Sequence, residues 1–102
     1  MKVNYTLSNN NLNLYLIGEL DECTAQNTRT VIDEIISKYP KILNVVFNFS
    51  SLSFMDSTGI GMLLGRYKKI KARGMGVFVE NPTNTVEKIM QISGLYKIMP
   101  KI

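Results

Sequence analysis

Ile42-Leu43-Asn44-Val45-Val46-Phe47-Asn48-Phe49 is rich in β-branched and aromatic residues and too short for a typical helix. It suits a central strand, apolar on both faces. Immediately upstream, residues 22–39 predict a helix. Val31, Ile32, Ile35, Ile36 and Tyr39 form its apolar stripe, Asp21 is the candidate N-cap, and Pro40 stops it. Further back, Val3, Tyr5 and Leu7, then Leu12, Leu14 and Leu16, alternate with polar residues on either side of an asparagine turn. Residues 2–17 therefore predict a hairpin. Downstream, a second helix is expected from Ser57 to Arg73, closed by Gly74. Gly-Val-Phe-Val-Glu at 76–80 predicts another strand. Asn81-Pro82 opens a third helix, with proline at its first position, which ends at Ser93-Gly94. Strands alternating with helices after a starting hairpin define an α/β domain. Its sheet should be mixed but mostly parallel, with four to five strands, right-handed crossovers and about three helices.

The chain's 102 residues allow one core but not two, so residues 1–102 are expected to form a single domain. No apolar run approaches the ~20 residues that span a bilayer, and the first residues lack the apolar stretch of a signal peptide. The lone Cys23 cannot form an internal disulfide, which fits a reducing compartment. A cytoplasmic location without membrane contact is the expectation. The chain has no histidine. That excludes a Ser-His-Asp triad within it and disfavours a zinc site, so an enzyme is not expected. Net charge is +4, with Arg66, Lys68, Lys69, Lys71 and Arg73 gathered in one segment. Such a run serves nucleic acid or, more generally, a solvated helix face. The second of these fits here, with no direct nucleic-acid contact.

The chemistry-bearing stretch is Ser53-Phe54-Met55-Asp56-Ser57-Thr58-Gly59-Ile60-Gly61, between the central strand and the second helix. Sites in open α/β sheets lie at the carboxyl ends of strands. Ser57 falls where a helix N-cap belongs. A hydroxyl there serves as a cap, and the same unpaired N–H groups and positive dipole would favour a phosphate. Asp56 is compatible with turn chemistry. On a helical wheel Ile60, Leu63, Leu64, Tyr67 and Ile70 share one side, the expected core face. Thr58, Gly61, Met62, Gly65, Lys69 and Arg73 lie opposite. Glycine within a helix costs up to ~1 kcal/mol relative to alanine, so Gly61 and Gly65 on an outward face suggest a docking partner. The other reading is that a neighbouring element of the same domain covers them. Glu19, Asp21 and Glu22 should reach the same edge of the sheet as Ser57. Acidic residues at a helix start are also an ordinary stabilising device.

Asp56-Ser57-Thr58-Gly59, following a strand and continuing into Ile60-Gly61, resembles the signature of STAS domains, the sulfate-transporter and anti-sigma-factor-antagonist family. Gly18-Glu19-Leu20-Asp21 resembles the family's first block and Ser93-Gly94-Leu95 its last. The run Leu52–Gly61 with Leu64-Gly65-Arg66-Tyr67-Lys68 is most similar to the sporulation branch of the antagonists. The resemblance implies an anti-sigma-factor antagonist. Its unmodified form would bind an anti-sigma factor that is also a serine kinase, releasing the sigma factor. Phosphorylation of Ser57 would reverse this, and a serine phosphatase would restore the binding form. Glu19, Asp21, Asp56, Thr58, Gly59, Gly61, Met62, Gly65 and Arg66 are the expected partner contacts. ATP and ADP would belong to the kinase, leaving this chain without a cofactor. Family members usually continue into a further C-terminal helix, which residues up to Ile102 do not supply. The alternative within the same family is a structural subunit of a lipid or anion transport system.

Overall fold

The computed structural model describes residues 1–102. The opening hairpin pairs β1 (Lys2–Ser8) with β2 (Asn11–Leu20) in antiparallel register, Ser8 facing Asn11. The two-residue turn between them is Asn9-Asn10, both at positive φ (50° and 67°). That is the conformation a tight hairpin turn needs and asparagine tolerates. Leu12, Leu14, Leu16 and Leu20 are wholly buried, the inward half of the predicted alternation. β2 continues three residues past the expected end at 17. It does so because a further strand, β4 (Leu52–Met55), pairs with its last residues, Glu19 opposite Phe54 and Leu20 opposite Met55.

The five-stranded sheet runs β1-β2-β3-β5, where β3 is Asn44–Asn48 and β5 is Gly76–Glu80. β4 lies alongside β2 and off that path. All pairs except β1–β2 are parallel, as strands joined by helical crossovers must be. The predicted central strand stands between β2 and β5 and contributes Val45, Val46, Phe47 and Asn48 to the interior.

Helix α1 (Ala25–Ser37) begins three residues later than expected. Asp21 is not its cap, because Thr24 holds that position. The Asp21 carboxylate instead accepts hydrogen bonds from the backbone N–H groups of Cys23 (2.9 Å) and Thr24 (3.1 Å), closing the turn that leads into the helix. α1 packs against α2 (Ser57–Ala72), while α3 (Asn84–Ser93) packs on β4. α3 also starts later than Pro82 suggested. Thr83 is its N-cap, accepting from Val86 N–H, and Gly94 ends it at φ 77°. Residues beyond α3 form a 3-10 turn (Leu95–Lys97). Lys101 then makes a parallel bridge to Val79, with Val79 N–H donating to Pro100 O and Ile102 N–H to Val79 O.

Candidate functional site

Two turns meet at the carboxyl ends of β2 and β4. Asp56 N–H donates to Leu20 O (3.2 Å), and the Asp56 carboxylate accepts from Glu22 N–H (3.3 Å). The acidic turn after β2 and the start of α2 are therefore joined directly. Glu19 and Glu22 are exposed here, and Asp21 is half-buried. The turn carries Glu19, Asp21 and Glu22 up to Asp56, the residue before α2.

Ser57 was expected at the N-cap, but that position belongs to Asp56, whose extended backbone precedes the helix and whose side chain accepts from Gly59 N–H (3.0 Å). Ser57 is the first helical residue and is exposed. The correction has a physical cause. Asp56 and Ser57 are both good caps, and the pairing of Met55 with Leu20 ends β4 one residue before Asp56, handing Asp56 the turn. With Asp56 capping, the Ser57 hydroxyl takes part in no side-chain hydrogen bond within the chain.

The side of α2 that faces the interior is turned from the expected one. Gly59, Met62, Leu63, Arg66 and Ile70 are buried, whereas Ile60, Leu64 and Tyr67 are only partly so. Met62, expected to face outward, belongs to the core. The sheet alone would have selected the apolar stripe, but α2 also packs on α1, and that second contact draws Met62 and Arg66 inward. Gly59 is likewise internal. A Cβ there would stand 2.7 Å from Leu20 O and 2.8 Å from Met55 Cγ, so its missing side chain lets α2 approach β2 and β4. Gly61 and Gly65 differ, since a Cβ at either meets nothing within 4 Å. No packing inside the domain calls for glycine at these two positions.

A groove of about 490 Å³ lies between the first halves of α1 and α2. Gln26 and Arg29 line it from one helix, and Thr58, Gly61, Gly65 and Arg66 from the other. Arg66 is 5 % exposed. Asp33 Oδ1 stands 3.0 Å from its Nε, yet neither Nε nor Nη1 has a hydrogen bond. The contact is an ion pair off the line of the N–H. Asp33 is shared, its Oδ2 lying 3.5 Å from Lys69 Nζ. Burial lowers the Arg66 pKa, Asp33 opposes this, and the charge of Arg29 adds to it. A guanidinium remains protonated regardless. No sequence signal announced the burial, because arginine is mostly exposed.

Of the expected contact residues, Asp56 and Thr58 flank Ser57, and Glu19 and Asp21 lie on the turn that is hydrogen-bonded to Asp56. The structure sets Gly61, Met62, Gly65 and Arg66 along the groove, Met62 also belonging to the core, and places Gly59 inside. No cluster of three or more cysteine, aspartate or glutamate side chains could hold a metal ion, and no helix is long and apolar enough to cross a membrane.

A mixed sheet with this acidic turn and this strand-to-helix serine defines a recognisable class. Residues 2–102 match the STAS domain, and the chain belongs to that family. Within it, the chain is 40 % identical over 85 residues to an anti-sigma F factor antagonist from Paenibacillus polymyxa, covering 83 % of this chain and 72 % of the relative. Among solved structures, it is similar to the anti-sigma factor antagonist SpoIIAA in its unphosphorylated form, with a TM-score of 0.79 and 31 % identity over 99 % of this chain and 88 % of that one. It is also similar to the Bacillus cell fate determinant SpoIIAA in the phosphorylated form, with a TM-score of 0.71 and 30 % identity over 99 % and 91 %.

Proposed function

We propose that this protein is an anti-sigma factor antagonist of the sporulation type, switched by phosphorylation of Ser57. In its unmodified state it binds an anti-sigma factor that is also a serine kinase, freeing the sigma factor. Phosphate transferred from the kinase's ATP to Ser57 Oγ causes release, and a serine phosphatase regenerates the binding form. The nucleotide is the kinase's ligand, and this chain needs no cofactor of its own and acts in the cytoplasm. The similarity to SpoIIAA in both phosphorylated and unphosphorylated forms supports this reading.

The single observation that carries it is the exposed Ser57 hydroxyl, freed from capping by Asp56. A serine that capped its helix would be committed to the fold, whereas this one is not. The first N–H groups of α2 and its positive dipole accommodate a phosphate. That phosphate would add about −1.5 to −2 charge beside Glu19, Asp21, Glu22 and Asp56. The fold keeps its cap, and the cost falls on whatever negative or close-fitting partner surface faces this turn.

Incubation with the kinase and ATP, followed by mass spectrometry, should place phosphate on Ser57. Ser57→Ala should bind the anti-sigma factor and resist release. Ser57→Asp should bind weakly with a melting temperature near that of wild type. Phosphate chiefly on Thr58, or unfolding of Ser57→Asp, would overturn the reading.

A further inference from the structure

We infer that the groove between α1 and α2 receives an acidic side chain of the anti-sigma factor, held by the Arg66 guanidinium within the groove and by Arg29 at its rim. This rests on the antagonist reading above and adds the chemistry of the contact.

The first observation is a buried cation short of directed hydrogen bonds. Arg66 is nine-tenths buried, its Nε and Nη1 have no hydrogen bond, and its nearest carboxylate is shared with Lys69. Buried charges are ordinarily paired and hydrogen-bonded, because taking them out of water without partners is expensive. Asp33 supplies charge without directed hydrogen bonds, so the guanidinium retains unused donors. The second observation is the sign of the groove. Arg29 and Arg66 line it, close enough for Arg29 to disfavour the charged form of Arg66. No acidic residue lines the groove. A carboxylate placed between the two arginines would relieve their repulsion and give Arg66, whose Nε and Nη1 are closed to solvent, a second counter-charge from the groove side. Guanidinium groups suit that planar acceptor.

The third observation selects a protein side chain over a free anion. Between Thr58, Met62 and Arg66, Gly61 and Gly65 leave gaps in the α2 wall of the groove, and a Cβ at either would have open space around it. Gaps of this kind admit another chain closely. The groove also reaches Thr58, the residue after Ser57, and so continues the surface on which the kinase must act. An acidic side chain seated there would hold the partner on α2 within a few turns of the serine.

The test is calorimetric titration of the anti-sigma factor into wild type, Arg29→Gln and Arg66→Met at two salt concentrations, with thermal melts of each variant. Arg66→Met should melt near wild type, since the Asp33 it leaves behind is one-third exposed and keeps Lys69 as a partner, and should bind at least ~10-fold more weakly. Arg29 is exposed, so Arg29→Gln should stay folded, bind about threefold more weakly and show a shallower salt dependence. Alanine substitution of the partner's surface aspartates and glutamates should then reveal one whose effect vanishes in the Arg66→Met background. If both arginine variants bind like wild type while Ser57→Asp does not, the groove assignment falls and the antagonist reading stands. Failure of wild type to bind overturns both. A sulfate or acetate titration that shifts the Arg66 Nε–H resonance at submillimolar concentration, with partner affinity unchanged in the variants, would give the groove to a small anion and overturn the proposal.

Discussion

Two ionic clusters on this domain are built to opposite standards. At the α3 end, Glu87 is saturated. One oxygen accepts from Gln91 (3.2 Å) and Lys101 (3.0 Å), the other from the Tyr96 hydroxyl (2.8 Å) and Lys101 (3.1 Å). Lys101 also lies over the Tyr96 ring, 5.7 Å from its centre. At the α1–α2 end, Arg66 is more deeply buried than Glu87 and yet has no directed hydrogen bond from Nε or Nη1. A cluster serving only the fold tends toward closure, because unsatisfied buried groups are costly. The Glu87 cluster reaches it and ties the residues after α3 to that helix. The Arg66 cluster does not, and it borders the groove that reaches Thr58, the residue after the exposed serine. The glycines divide the same way. Gly59 is filled around by Leu20 and Met55, while Gly61 and Gly65, further along the same helix, look into space.

The largest effect that could break this contrast is on stability. Gly59→Ala should destabilise the domain by ~1–3 kcal/mol, the usual range for overpacking, because its Cβ would press on a backbone oxygen that cannot swing aside. Urea denaturation measures it, and a variant as stable as wild type would erase the distinction between inward and outward glycines. Next comes Gly65→Ala. With no neighbour to strike, it should gain up to ~1 kcal/mol of stability through helix propensity while weakening the anti-sigma factor complex. Melts and titration calorimetry on one preparation would show the two quantities moving in opposite directions. A lower melting temperature with normal binding would mean that Gly65 serves the fold.

The smallest effect concerns acid. Hydrogen bonds from Lys101, then Tyr96, hold the Glu87 carboxyl below the usual glutamate range. A lowered folded pKa makes a contribution that is fully present above the unfolded value, about 4.3. It is lost as pH falls through the lower folded value. Glu87→Gln should therefore flatten the acid side of the stability curve and leave the Arg66 groove and partner binding untouched. If its melting temperature follows pH as wild type does, the saturated cluster contributes nothing that titrates.

Much of the fold is legible in residue patterns, and the exceptions have causes. β3 and β5 follow from short β-branched runs, and the hairpin follows from strict alternation around Asn9-Asn10. β4 was not anticipated as a strand. Leu52 and Met55 are buried while Ser53 and Phe54 are exposed, so no period of two marks it, and it exists because β2 runs on past Gly18 to pair with it. Ser57 was legible as a candidate site, but which of the adjacent Asp56 and Ser57 would cap the helix was decided by where β4 stops. The misplacement of Met62 and Arg66 has a longer-range source. A wheel records the spacing of apolar residues on one helix and contains nothing of the second helix that will lie beside it.

The bridge between Lys101 and Val79 bears on solubility. A strand at the margin of a sheet offers unpaired N–H and C=O groups to any passing chain, a common route to aggregation. Pro100 O and Ile102 N–H occupy the outer groups of Val79, so β5 is partly sealed by the chain's own residues. β1, at the opposite margin, has no such cover. Strand-to-strand self-association of this domain would therefore begin at Lys2–Ser8, far along the sheet from β5.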